Sequence, residues 1–452
     1  MGRGTIILRG NRIDAVVILL AAILVFACGD DDAAVDAKPG SAYPATGWPV
    51  IHHDSRNSDA SDTPGPDDVT LAFEGALRGR TIAAGATVGP EGNLYVGTGI
   101  ALGSSCHLFA LDGKTGEQLW CSDKVNDRAI TSSPTIDRDG HVYMGDNRAM
   151  NSFTRDGKIR WSQPIEGFPI SAQFTPDGHL IFITHIGTIY VLRRHTGASV
   201  IEPVALLPEV VYTPRPLDYL DCGSGSTEGT CYSANTLSID QDTGAFYFTL
   251  TRPGDTTTRL VAMRYVVGNP PRIEPLWENA TLQGGSASSP NISADGRRLY
   301  VNDQANHLLA IDAETGEVIW TFDLGFAPLG SPSSSSAGVI IPTGGTGAGL
   351  MAIQDAGDHA ELLWVRSDLG SHGITPQRGT DRAYAVVGNI GQLFGIRLLV
   401  LDARTGAQLD EEPISRTAAA TVGTTMSEDG YVYVPGFLGG IWGFKPARMP
   451  EP

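Results

Sequence analysis

The chain has 452 residues, with 50 Asp and Glu against 32 Lys and Arg for a net charge of −18, and it holds 55 Gly, 28 Pro and only 5 Cys. A hydrophobic fraction of 41% excludes a wholly disordered chain, and the lack of sustained heptads excludes a coiled coil. The acidity excludes a nucleic-acid partner, because neutralising phosphates takes clustered Lys and Arg; the Gly and Pro content predicts many tight turns between short strands.

In chain order, the first element is a targeting segment over residues 1–27. Arg3, Arg9 and Arg12 give it a basic start, and Ala15 to Ala27 is an unbroken apolar run of 13 residues. That is short of the roughly 20 a membrane-spanning helix needs and fits a signal-peptide core. Val25-Phe26-Ala27-Cys28-Gly29 then resembles the bacterial lipobox, which implies lipid on Cys28 after cleavage. Gly29 looks like the Gram-negative pattern that permits outer-membrane sorting. Residues 28–46 are acidic and lack apolar periodicity, so they read as a solvated tether. With no second long apolar run, lipid is the expected membrane attachment.

From residue 47 the same pattern recurs. Glu91-Gly92-Asn93-Leu94-Tyr95-Val96 leads to Leu108-Phe109-Ala110-Leu111-Asp112, then Thr115-Gly116 and Trp120; Asp295 to Val301 leads in the same way to Asp312, Thr315-Gly316 and Trp320. A third copy runs through Leu401-Asp402 and Thr405-Gly406, and weaker copies end at Trp161, Trp277 and Trp364. Several units open on small residues: Ser132-Ser133-Pro134, Ser288-Ser289-Pro290, Gly330-Ser331-Pro332 and Thr375-Pro376. Aligned on the turn glycine, the unit ends are Trp120, Trp161, Ile201, Trp277, Trp320, Trp364 and Asp410. Their spacing stays near 40 to 46 residues except for one step of 76.

Each unit reads as four short strands, the period of a propeller blade. Glycine supplies the positive φ of the tight turn while Asp or Thr bonds to the local backbone. Alternation in Leu-Tyr-Val places side chains between neighbouring sheets. A Trp ending the outer strand would anchor one blade to the next. The long step is one blade plus an insertion at 202–231. The last unit, Asp429 to Phe444, lacks an outer strand, and an orphan strand Val69 to Phe73 stands ready to complete it and remove a free edge. The expectation is an all-β, eight-bladed propeller of four-stranded blades over 47–447, closed by its own N-terminal strand.

The four cysteines after Cys28 fit an oxidising compartment and admit three pairings. Cys106–Cys121 and Cys222–Cys231 are preferred. The first would lie across a hairpin turning at Gly113-Lys114, in a register with Ala110 opposite Glu117 and Cys106 opposite Cys121. The second would staple a Gly/Ser-rich loop. Zinc has no CxxC or neighbouring His pair to support it.

The run Ala-Leu/Ile-Asp-x-x-Thr-Gly-x-x-x-Trp at 110–120 and 310–320 resembles the repeat of the pyrroloquinoline-quinone (PQQ) propeller family. Trp48 to Asn57 looks like that family's lead-in. The resemblance implies the fold directly but divides on function, since the repeat serves both quinoprotein dehydrogenases and quinone-free scaffolds such as the BamB-like lipoproteins. Adjacent cysteines, which quinoprotein alcohol dehydrogenases carry, are absent here, as is the C-x-x-C-H of a c-type haem.

No catalytic constellation stands out in the sequence. Asp137, Asp139 and Asp295 fall in predicted hairpin turns. His52-His53-Asp54 is the densest ligand-like cluster, but neighbours on an extended chain point to opposite sides, so lead-in packing is the expectation. The leading reading is a monomeric, lipid-anchored scaffold or protein-binding module of the cell envelope, at the outer membrane on its periplasmic face or the cell surface, with other envelope proteins as partners and no cofactor. The alternatives are a periplasmic oxidoreductase using PQQ with calcium, and a surface ligand- or glycan-binding lipoprotein. Tyr212, Tyr219 and Leu220 of the insertion form a candidate contact surface on one rim.

Overall fold

A computed structural model describes residues 42–448 apart from 76, 78–79, 100–105, 215–221, 223–224, 234, 345–347, 392–393 and 415–420. The expected leader, Cys28, the tether up to residue 41, and Tyr219 and Leu220 of the insertion lie outside the described residues.

Eight antiparallel sheets follow one another along the chain. Blade 1 is built from Thr87–Val88, Leu94–Gly97, Leu108–Leu111 and Gln118–Ser122. Blades 2 to 6 repeat this plan, each running from a two-residue inner strand to an outer strand at Ile159–Pro164, Ser199–Ala205, Arg272–Gln283, Val318–Asp323 and Ala360–Arg366. Blade 8 takes its outer strand from Asp68–Glu74, which pairs with Ile441–Arg448. This is the ring closure expected from the orphan strand. The chain is an eight-bladed β-propeller.

Blade 7 departs from the four-stranded plan. Leu369–Ser371 adds antiparallel to Arg382–Asn389, and Ala60–Ser61 adds parallel to the inner strand Gln377–Arg378. The second addition comes from the lead-in, whose length and polarity carry no strand signal.

The middle strands are buried on both faces because every blade is sandwiched between two others. Leu94 and Val96 pack toward blade 8 with Val432 and Val434, while Tyr95 between them packs toward blade 2 with Val142 and Phe153. Strict alternation thus fills two different interfaces. Only the outer strands show an exposed face, as in Val318–Asp323.

The conserved-looking spelling of each unit now has a geometric cause. Asp112 Oδ1 accepts the Lys114 and Thr115 amides and the Thr115 hydroxyl, and Asp312 and Asp402 repeat the same three bonds. Gly116, Gly316 and Gly406 all have φ between +70° and +76°. A Cβ at Gly316 would come within 2.6 Å of the Trp277 ring of the preceding blade, and one at Gly406 within 2.6 Å of Trp364. Trp120 and Trp161 cover Gly157 and Gly197 in the same way. Their indole N–H groups donate onward, Trp161 to Arg194 O at 3.0 Å and Trp277 to Ala313 O at 3.1 Å. Trp320 instead donates to Asp355 Oδ1 at 3.2 Å. Each tryptophan therefore docks onto the turn of the next blade, satisfying its polar edge as it buries its ring.

Two expectations about these strands need correction. The tryptophan lies within its outer strand and does not end it: Trp120, Trp161 and Trp320 are third, Trp364 fifth and Trp277 sixth. The residue before it is bulged: Trp120 faces Ala110 while Gln118 faces Leu111. The bulge and the wider Asp112–Glu117 turn also shift the cysteine register, so Cys121 faces Phe109 and not Cys106. The Cys106–Cys121 disulfide spans this offset with a Cα–Cα separation of 5.7 Å, and Cys222–Cys231 is likewise bonded. A bulge twists its strand, which sequence alternation alone does not reveal.

Candidate functional site

The lead-in from Trp48 to Thr63 is the element that shapes the site. It circles the axis and gives its backbone to one inner strand after another. Trp48 exchanges two backbone bonds with Val88 of blade 1. Ile136, Ile239, Ile292, Ser334 and Gln377 then donate their amides to Pro49, Ser55, Arg56, Ser58 and Asp59 in turn. Blade 3 joins through Gln173 Nε2, which donates to Asn57 Oδ1 at 2.9 Å. Blade 8 joins through the Thr63 hydroxyl, which donates to Glu428 Oε1 at 3.1 Å. Edge amides of the inner strands that would face an open channel are thereby satisfied. So tight a circuit requires left-handed backbone at His53, Asn57 and Asp59, with φ of 73°, 57° and 48°. Asp54 braces it by accepting the Arg56 and Ser58 amides at 3.0 Å each.

Even the end of the presumed tether is docked. The Tyr43 hydroxyl donates to Gln173 Oε1 at 2.6 Å, its ring meets Phe174 edge-on, and Ala42 is buried.

Above this plug lies a funnel of about 540 Å³. Its wall is made by the segments that enter the inner strands, including Ala83–Ala86, Ala287, Ser289, Ser331, His372–Ile374 and Thr421–Thr424. Of the small residues that open the units, Ser289, Gly330 and Ser331 line this wall, lying just ahead of the strands they were expected to form. Its floor is Ile51, His52 and Asp59. Cys222 also lines it, so the stapled end of the 202–231 insertion turns inward, and Phe168 packs on that disulfide. Tyr212, further back in the insertion, sets its ring edge-on to His185.

Three polar groups concentrate at the floor. His52 Nδ1 lies 2.7 Å from Asp59 Oδ2, and His52 Nε2 lies 2.9 Å from Ser289 Oγ, all three residues being buried. Burial pushes the Asp59 carboxyl above the usual carboxylate range, against the pull of the adjoining imidazole. Higher on the wall, His372 is buried and its Nε2 has no hydrogen-bond partner. Burial also pushes the His372 imidazole below its ordinary value, so it is neutral at pH 7. His53, next to His52 in sequence, points the other way, its ring tilted by 51° against that of Trp48 at 4.5 Å between centroids. The two histidines do not share a site, although the segment is a turn with left-handed backbone at His53 and not the extended chain expected.

The buried imidazoles set a pH dependence. Desolvation lowers His53 and His372 below the ordinary 6.5, while the unfolded chain protonates at that ordinary value. Below 6.5 the unfolded state binds more protons, so the stability due to these groups is full above 6.5 and lost as pH falls toward the folded values. Urea midpoints should drop between pH 7.5 and pH 5. A midpoint that stayed flat or rose over that range would contradict the buried, neutral assignment.

Asp137, Asp139 and His141 form a cluster of metal-ligand type, but a cation already sits there. Arg194 Nη1 lies 3.2 Å from Asp137 and 3.1 Å from Asp139, and the Tyr143 hydroxyl donates to Asp137 at 2.7 Å. Asp295 is a turn residue, accepting the Ser293 hydroxyl and the Arg297 amide. A Gly-rich stretch runs over residues 344–349; 345–347 lie outside the described residues, and Gly344 lines the funnel.

The funnel does not fit a PQQ–calcium pair. PQQ is a tricarboxylate, and buried carboxylates need cationic or multiple hydrogen-bonding partners. Among the described lining residues there is no Lys or Arg, and the single carboxylate, Asp59, is engaged by His52.

Comparison with known proteins agrees with the architecture. The family model described as "Outer membrane protein assembly factor BamB" matches residues 69–201 and 269–448. The unmatched stretch between them holds the insertion and most of blade 4. Protein Rv3035 of Mycobacterium tuberculosis is 29% identical over 93% of this chain and 99% of its own length. Among solved structures, BamB from Moraxella catarrhalis superposes with a TM-score of 0.55 at 16% identity, covering 83% of this chain and 99% of its own. A quinohemoprotein alcohol dehydrogenase from Comamonas testosteroni reaches 0.62 at 16% identity, over 91% of this chain and 83% of that one. At such identities the structural likenesses establish the fold alone.

Proposed function

Because the chain belongs to the family of the outer membrane protein assembly factor BamB, we propose that it is a protein-binding or scaffolding module of the bacterial envelope. Lipid on Cys28 would hold it at the outer membrane. The observation that carries this reading is the family match over both parts of the ring, 69–201 and 269–448. A rigid propeller suits the task, since it presents loops without moving them. The funnel mouth supplies an apolar contact area, with Leu329 and Phe437 exposed at 55% and 42%, and Leu438, next to Phe437 in the chain, exposed at 54%. Exposed apolar residues gathered at one place mark interaction sites more often than scattered ones do. The PQQ alternative lacks counter-charges in the funnel and is not favoured by the lining.

The test is photo-crosslinking in intact cells, with a photoreactive residue at Leu438 or, on the outer strand of blade 6, at Glu361. A discrete adduct containing an envelope protein is expected from position 438 and not from 361. No adduct above the unirradiated control at either position would sink the scaffold reading.

A further inference from the structure

The floor of the funnel carries an arrangement that scaffolding does not use. Asp59, His52 and Ser289 stand in line, carboxylate to Nδ1 at 2.7 Å and Nε2 to hydroxyl at 2.9 Å. With Asp59 ionised, its carboxylate can only accept, which places the imidazole proton on Nδ1 and leaves Nε2 to accept. The Thr236 amide donates to Ser289 Oγ at 3.1 Å. That bond occupies a lone pair of the serine oxygen and leaves its O–H directed at Nε2. This is the hydrogen-bond order of an activated serine: nucleophile, base and orienting carboxylate.

The corresponding serines of other blades lack it. Ser133 donates to Gly85 O at 2.7 Å, and Ser331 Oγ accepts the Ser289 amide at 2.8 Å. Each of those hydroxyls links neighbouring blades, whereas Ser289 faces an imidazole. Asp59 and His52 are held rigidly, since the Asp59 amide donates to His52 O at 3.1 Å and both residues sit within the plug. All three groups line the same cavity.

The geometry points to Ser289 as a nucleophile that takes an acyl group from an uncharged, largely apolar carboxylic ester entering the funnel. The walls combine Ala, Ile, Val and Gly with uncharged Thr, Ser and Asn side chains, and Leu329 and Phe437 stand toward the mouth. With no Lys or Arg among the described lining residues, a charged acyl chain finds no partner there. In the first step Ser289 Oγ bonds to the carbonyl carbon and its proton passes to His52 Nε2. The ester C–O bond then breaks, and the departing alkoxide takes that proton and leaves as the alcohol. Water repeats the sequence on the acyl-serine and releases the acid. Asp59 is the positioning residue, holding the tautomer that leaves Nε2 free.

The full chain should be treated with a biotinylated fluorophosphonate, which forms an O–P bond and expels fluoride, and the adduct located by mass spectrometry. Labelling is expected at Ser289. It should vanish in Ser289→Ala, persist in Ser331→Ala, slow by at least about 100-fold in His52→Gln, and disappear on prior heat unfolding. p-Nitrophenyl butyrate should be hydrolysed by wild type and not by Ser289→Ala. Should His52→Gln unseat the plug, the wild-type adduct and the two serine variants still decide the matter. An unlabelled Ser289 in the folded protein, or equal labelling of Ser289 and Ser331, overturns the assignment. Either result leaves the crosslinking experiment untouched.

Discussion

Replacing Trp161 with alanine should lower the stability of the propeller by about 3–5 kcal/mol, the usual cost of deleting a large buried aromatic. Trp161 is 9% exposed, its ring covers Gly197 of the next blade, and its indole donates to the buried Arg194 carbonyl at 3.0 Å. The substitution opens a cavity at a blade interface and removes one of three hydrogen bonds to that carbonyl, which keeps the Tyr143 hydroxyl and Arg160 Nη1 as donors, so the cavity is the main penalty. The partner glycine should be nearly as sensitive. Gly197→Ala places a Cβ 2.6 Å from the Trp161 ring at a residue with φ of +76°, and left-handed backbone alone costs a non-glycine residue about 1–2 kcal/mol. Leu119→Ala is the control, since Leu119 is 49% exposed and should change stability by under about 0.5 kcal/mol. Denaturant titrations compare the three. Equal midpoints for Trp161→Ala and Leu119→Ala would show that the blade-to-blade docking contributes nothing.

Asn57→Ala should destabilise the protein by about 3–6 kcal/mol through a different route, the loss of buried hydrogen bonds at a strained turn. Asn57 is fully buried with φ of 57°. Its Nδ2 donates to Thr236 O and Pro290 O at 3.1 Å each, and its Oδ1 accepts from Gln173 at 2.9 Å. One side chain thus ties the plug to blades 3, 4 and 5. Asn57→Gly relieves the backbone part and should recover about 1 kcal/mol. Thermal melts read the ordering, wild type above Gly above Ala. A melting temperature for Asn57→Ala equal to wild type would mean that the lead-in is an accessory, not a structural plug, and the funnel floor would lose its rigidity argument with it.

The blade itself was legible because its information is local. Asp112, Thr115 and Gly116 form a turn whose bonds close within five residues, and any copy must spell it similarly. Trp120, Trp161, Trp277 and Trp364 recur because each covers the turn glycine of the next blade, while Trp320 bonds Asp355 of that turn instead. Bulges before those tryptophans left no trace, since an extra residue in a strand still reads as strand. That is why the Cys106 and Cys121 register was misplaced. The funnel was legible in its material, the small-residue openings of each unit, but not in its chemistry. His52 and Asp59 lie seven residues apart on a segment without periodicity, and Ser289 looked like every other serine of its kind.

What the sequence determined by itself was the eight-bladed ring and its closure by an N-terminal strand, Asp68–Glu74. Repetition made those readable, because one local rule stated several times fixes a period and a count. Tertiary structure alone decided what the ring encloses. The lead-in bonds to all eight blades, from Val88 of blade 1 to Glu428 of blade 8. Its contacts join residues more than 200 positions apart, such as His52 and Ser289, and no spacing rule in one dimension encodes a pairing that ring closure creates.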